Sequence, residues 1–271
     1  MTEMTPADQR ALSEAVDKLE TQSFAMTIAS KTGVPVEALL RLVPTGAQAS
    51  LHDAINKALE QCLRVALRIS HTDSSRPARS KLHTAATGVT GALGGFFGLP
   101  GLAVELPVTT TLMLHSIVDI ARANGEDLSR PENALACLQV LALGPGGTRA
   151  DVLQSTYYAS RAALTQVTRD AVAHVATNGL TRESNSAIVS FLARIAARFG
   201  IEVSEKAAAQ LIPIAGAAGG LAINVIFSQH FQRIAEGHFT IRRLERIYGH
   251  ELIRNGYEQR RSQRKALHLP A

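Results

Sequence analysis

Between Gly88 and Leu114 the chain reads GVTGALGGFFGLPGLAVELPVTTTLML, with glycines at 88, 91, 94, 95, 98 and 101 and a single charge, Glu105. Each glycine weakens a helix by about 1 kcal/mol against alanine. A run this rich therefore needs a phosphate to cradle, a very close neighbouring helix, or a medium without water. A phosphate loop requires a fixed glycine spacing after a strand, with a lysine or a helix start behind it. The run holds neither GxGxxG nor Gly-Lys-Ser/Thr, and no strand pattern precedes it. What it does hold is a spacing of four: Gly91 with Gly95, Gly94 with Gly98 and, later, Gly216 with Gly220. Residues four apart share a helix face. Gly91, Gly95, Gly98, Gly216 and Gly220 therefore predict smooth strips on which a second helix sits closely.

Helical periodicity dominates the rest of the chain. Over Asp53–Ile69, the residues Ile55, Leu59, Cys62, Ala66 and Ile69 fall on one face, with Lys57, Glu60, Arg64 and Arg68 away from it. The stretch HTDSSRPARS (71–80) is polar, contains proline and has no period, so it reads as a linker. A helix is predicted from Pro107 to Asn124, closed by Gly125, with a break before it at Leu99-Pro100-Gly101. Ser129 and Glu132 form a capping-box pattern for a helix over Pro131–Leu143. Further helices are predicted over Ala150–Thr177 and Ala187–Phe199, the latter ending at Gly200, with Ser204 capping the next. No convincing alternating strand pair appears. The fold class expected is all-α, a single helical domain with two Gly/Ala-rich segments.

Those two segments echo each other. GALGG at 91–95 recurs as GAAGG at 216–220, Lys81 and Lys206 each stand ten residues before them, and IVDIARANGEDL (117–128) resembles IRRLERIYGHEL (241–252). An internal duplication would explain the echo, and so would coincidence among Ala/Gly-rich helices.

Ala207–Gln232 carries no Lys, Arg, Asp or Glu, a length sufficient to span a bilayer. Polar Gln210, Asn224, Gln229 and His230, the absence of Trp, and Glu105 in the first segment oppose spanning. Three settings stay open: a soluble core, a shallow hairpin dipped into one leaflet, and a true span. The N-terminus has no basic start followed by an apolar stretch, so no signal peptide is expected, and two separated cysteines favour a reducing compartment.

The net charge of +5 is concentrated at one end. Through His230 basic and acidic residues number 19 each; from Phe231 on they number nine and four. Arg242, Arg243 and Arg246 cluster over about one turn beside Ile241, Leu244 and Tyr248, an arrangement suited to phosphate oxygens. Intramolecular pairing with Asp or Glu is the competing reading. These arginines are the candidate anion- or lipid-binding residues, and an anionic membrane surface or a membrane protein complex is the expected partner. Basic residues lack interleaved aromatics, so nucleic acid is not expected.

Catalytic candidates are few. His115 and Asp119 are one turn apart, so the carboxylate could orient the imidazole, and Glu105 stands at the expected helix start, where the dipole favours it. HExxH, GxSxG and cysteine clusters are absent, so no metal and no cofactor are expected.

GALGGFFGLPGLAVELPVTTTLMLHSIVDIARANGEDLSRPENALACLQVLALG, YYASRAAL at 157–164 and FGIEVSEKAAAQLIPIAGAAGGLAINVIFSQHFQRIAEGHFTIRRLERIYG together resemble the EcsC protein family. The resemblance covers about Leu59–Tyr257 and divides the chain into a polar helical extension (1–50), an EcsC-like domain (51–257) and a basic tail (258–271). It implies a helical bacterial protein without an established catalytic mechanism, often regarded as membrane-associated and linked to Ecs-type ABC transporters. The expectation is a non-catalytic accessory or scaffold factor, cytoplasmic and peripheral at the inner membrane. The alternative is a helical hydrolase-like enzyme acting on lipid or peptide through Glu105, His115 and Asp119.

Overall fold

A computed structural model describes residues 3–20, 23–41, 46, 48–70, 80–144, 157–178, 186–211 and 216–268, with backbone alone over 39–40, 80–100, 103, 178, 216–218, 265 and 267–268. The described elements are α1 (Pro6–Leu19), α2 (Phe24–Thr32), α3 (Val36–Leu40), α4 (Gln48–Ser70), α5 (Ser80–Ala123) and α6 (Pro131–Gln139), which runs into a 3-10 turn at Val140–Ala142. After these come α7 (Tyr157–Asn178), α8 (Ser186–Gln210), α9 (Gly216–Tyr248) and α10 (His250–His268). Among the described residues every regular element is helical, and together they make one helical domain, as the periodicity predicts.

The two Gly/Ala-rich segments are the N-terminal parts of α5 and α9, the longest pair in the molecule. Cross-contacts climb both helices in the same direction: Asn224 reaches Glu105, Gln232 reaches Ser116, and Arg242 reaches Glu126. The pair is therefore parallel, with both glycine-rich ends together. Each closes on a left-handed glycine, Gly125 at φ +75° and Gly249 at φ +89°, a conformation that costs other residues steric strain. Behind Gly125, the Glu126 amide donates to the Ala121 carbonyl at 3.1 Å, so the end foreseen from sequence is built as a Schellman turn.

Several boundaries differ from the sequence expectation. α5 runs through Leu99-Pro100-Gly101 and through Pro107 without the anticipated break. Each proline removes one main-chain donor. Packing of α5 between α4 and α9, with Leu102, Leu106, Met113, Leu114 and Ile117 all buried, offsets that loss. α8 likewise continues through Gly200, and Ser204, expected as a cap, turns its hydroxyl back to the Gly200 carbonyl at 2.8 Å. Arg130, not Ser129, precedes α6; the Ser129 hydroxyl donates instead to Asp127 at 2.6 Å. Residues 71–79 and 150–156 lie outside the described residues, so the linker and the start of α7 predicted there do too.

Among the described residues a close helix approach lies at Gly237 of α9. Gly91, Gly95, Gly98 and Gly216 are placed as helical backbone and their surroundings lie outside the described residues, while Gly220 is buried in α9. At Gly237 of α9, an added Cβ would stand 2.7 Å from Leu19 Cγ and 3.1 Å from the Ala15 carbonyl oxygen. That glycine lets α1 lie on α9, where Leu12, Ala15, Val16 and Leu19 bury the apolar face of α1. Residues 1–50, read as an extension, thus contribute α1 to the core.

Candidate functional site: a buried polar seam

On α8 the apolar face is set by Ile195, Phe199 and Val203, all fully buried. At 100° per residue, Glu202 and Lys206 fall within that face and Glu205 at its border. All three are buried, Lys206 completely, so each needs a partner inside the protein.

Lys206 finds one across α5. Its Nζ donates to both carboxylate oxygens of Glu105 at 2.9 Å, and Glu105 is itself only 5% exposed. Asn224 of α9 donates to Glu105 Oε1 at 2.8 Å, and the Thr109 hydroxyl, one turn on from Glu105, donates to the same oxygen. The Phe227 ring lies 4.9 Å from the ammonium, adding a cation–π contact. Burial pulls the Lys206 ammonium below its usual range, and Glu105 opposes that shift by charge and hydrogen bond. The arrangement pins three helices at one level.

A second group on α8 is formed by Glu205, next to Lys206, and Glu202, one turn before Lys206. Glu205 accepts from the Ala25 amide, in the first turn of α2, at 2.9 Å. Its pKa is pushed up to about 8, first by burial and then by the neighbouring Glu202 carboxylate, to which it hydrogen-bonds. At neutral pH Glu205 therefore keeps its proton. His230 of α9 stands 3.6 Å from Glu202, an ion-pair separation beyond hydrogen-bond reach. Phe24, Phe227, Phe231 and Phe199 stack edge to face around both groups, at 5.2 Å for Phe24–Phe227 and 5.6 Å for Phe199–Phe231. The seam is polar at its centre and aromatic at its walls.

The catalytic candidates are not united. Glu105, expected at a helix start, sits mid-helix with Lys206 as its partner. His115 and Asp119 follow ten and fourteen residues later on the same helix, about 15 and 21 Å away by helix rise. His115 Nδ1 lies 2.9 Å from the Thr111 carbonyl of its own helix, and Asp119 lies 3.6 Å from Arg122. Among the described residues no three His, Cys, Asp or Glu side chains converge to hold a metal ion. Burial pushes the Cys62 and Cys137 thiols up to about 12, which suppresses thiolate chemistry.

The arginine cluster lies against carboxylates of the same chain. Arg242 makes a fork on Glu126, Nε to Oε1 and Nη2 to Oε2, both 2.8 Å, and also donates to Asn133 at 2.8 Å. Arg246 donates to the same Glu126, and Arg243 pairs with Asp8 of α1 at 3.1 Å. Burial raises the Glu126 carboxyl, but the Arg242 and Arg246 hydrogen bonds and charges outweigh it and hold the group below its usual range. Arg242, Arg243 and Arg246 thus each meet a carboxylate of their own chain, as the intramolecular reading has it, and tie α9 to Glu126 and to α1. Nearby, Arg161 and Glu245 pair at 2.8 Å, and the buried Tyr157 hydroxyl lies 2.8 Å from His238 Nδ1, joining α7 to α9.

Glu202, Glu205 and Lys206 escape a motif search because they match none. Their signal is positional: Glu202 and Lys206 stand three and seven residues after Phe199, on the face that buries it. No curated protein and no solved structure matches the chain. The model of the EcsC protein family matches residues 7–244, from the start of α1 to the buried Leu244 of α9, and takes in the whole seam. The chain belongs to the EcsC protein family.

Proposed function

We propose that this EcsC-family protein is a non-catalytic helical accessory factor that docks at a membrane through the paired glycine-rich ends of α5 and α9. One observation carries the reading. At the level of Glu105 and Asn224, Val104 is 76% exposed, Val108 43% and Leu221 42%. From Leu82 to Val118 the sequence carries one Asp, Glu, Lys or Arg, the buried Glu105, and from Ala207 to Gln232 it carries none. Large apolar side chains facing outward on a charge-free end suit acyl chains or an apolar protein face. A full span is less well supported. Val104–Ala123 is long and apolar enough to cross a bilayer, yet 67% of it is buried within the protein. The Glu105–Lys206 pair closes on itself, which suits positioning of helices better than substrate chemistry. Family membership makes a membrane complex of the Ecs-type ABC transporter kind the partner to test first.

Flotation with lipid vesicles tests the docking reading. The parent protein is expected to float, and the double variant Val104→Asp, Val108→Asp to remain at the bottom with unchanged helical content. Equal flotation of the two, or none by the parent, contradicts it.

A further inference from the structure

We propose that the groove between α7 and α8 binds an alkyl phosphate, its phosphate held by Arg194 and Arg198 and its alkyl group seated on Ala142 and Leu164. The inference does not rest on the membrane reading. The groove encloses about 280 Å³, at the small end of ligand pockets and suited to a headgroup with a few methylenes. Its walls are Ala159 and Ala163 from α7 and Ala197 from α8. The small side chains leave open the space that larger ones would fill. The floor is apolar, since Ala142 and Leu164 are both buried.

The mouth has the opposite character. Arg194 and Arg198 are four residues apart and so share one face of α8, about 6 Å apart along the axis. Arg198 is held by a hydrogen bond from Nη2 to Ser160 Oγ at 2.9 Å. Among the described residues neither guanidinium has a carboxylate partner, although both line the groove. That sets them apart from Arg161, Arg242, Arg243, Arg246 and Arg261, each of which meets a carboxylate. Two adjacent guanidiniums without a counter-ion above an apolar floor complement an anion with an apolar tail. The shared chemistry is a phosphate monoester, which a soluble compound or a lipid headgroup can supply.

Calorimetric titration with inorganic phosphate, ethyl phosphate and butyl phosphate tests the site, alongside co-sedimentation with phosphatidylcholine vesicles with and without phosphatidic acid. Affinity should rise along the phosphate series by up to about fourfold per methylene that reaches the floor. The double variant Arg194→Gln, Arg198→Gln should lower alkyl phosphate affinity at least about tenfold, in line with loss of charge-assisted bonds, with an unchanged melting temperature. Ala163→Leu, or Ala197→Leu if the first does not fold, should erase the chain-length gain and leave inorganic phosphate binding intact. Within a site confirmed this way, vesicle binding that falls in the same variants identifies a lipid headgroup as the source, and vesicle binding that does not identifies a soluble monoester. Absence of alkyl phosphate binding, binding indifferent to the arginine variant, or a chain-length gain that survives both leucine variants overturns the proposal.

Discussion

Replacing Lys206 with methionine keeps the stem of the side chain and removes its charge from the buried seam. At 2.9 Å and an effective dielectric of about 20, the attraction between Lys206 and Glu105 is roughly 6 kcal/mol, much of it offset by desolvating both groups. The net value of the pair is therefore small, but the cost of breaking it is not. Lys206→Met leaves a 5%-exposed carboxylate with, among the described residues, only Thr109 and Asn224 as donors, and removing one partner of a buried pair costs about 3–5 kcal/mol. Against a typical domain stability of about 5–15 kcal/mol that is a large share. Adding Glu105→Gln to Lys206→Met removes the orphaned charge and should recover most of the loss. Urea unfolding followed by circular dichroism on the parent, both single variants and the double variant gives the coupling energy directly. A single-variant cost below about 1 kcal/mol, or two single effects that simply add, would refute the assignment of Glu105 and Lys206 as a buried, mutually dependent pair.

Three further outcomes follow from the same geometry. Glu205 keeps a proton in the folded state up to about pH 8, whereas the unfolded chain releases it in the ordinary glutamate range. Its contribution is therefore complete below about pH 4.5 and lost as pH rises to about 8, so the parent's melting temperature should fall over that window more steeply than that of Glu205→Gln; parallel profiles would show that Glu205 does not hold its proton there. Gly237→Ala gains about 1 kcal/mol of helix propensity, yet its Cβ would stand 2.7 Å from Leu19 and should overpack the contact by about 1–3 kcal/mol, giving no gain or a lower urea midpoint. Arg242→Gln removes the fork on Glu126 and should cost about 1.5–3 kcal/mol by urea titration, while flotation on anionic vesicles stays at the parent level.

What the sequence made legible was local. Period 3.6 foretold helices, and Gly125 foretold the end of α5, because both signals are written within a few residues of the feature they specify. The continuity of α5 through two prolines, and of α8 through Gly200, was not legible: packing against distant helices outweighs the local penalty there. Arg242 illustrates the same limit for a site. Its cluster with Arg243 and Arg246 is visible as a charge run, but the acceptors Glu126 and Asp8 lie 116 and 235 positions away. Nothing in the run itself chooses between a headgroup and those carboxylates. Glu105 stands out by its charge in an apolar run, while Lys206 is marked in the sequence only by its place ahead of GAAGG, and nothing local pairs it with Glu105. The fully buried Lys206 and the exposed Val104 exchange the places that hydropathy alone would give them.

The docking end is tested most directly by an environment-sensitive fluorophore on Val104→Cys, in a background where Cys62 and Cys137 are buried and slow to label. Titration with vesicles should shift its emission to the blue, and the same probe at Val189→Cys, an exposed apolar position on α8, should not respond. The first site responding and the second staying silent is the result expected of a protein that meets acyl chains with the ends of α5 and α9. Equal responses at the two sites, or none at residue 104 while the protein still floats with vesicles, would place the membrane contact elsewhere and contradict the account.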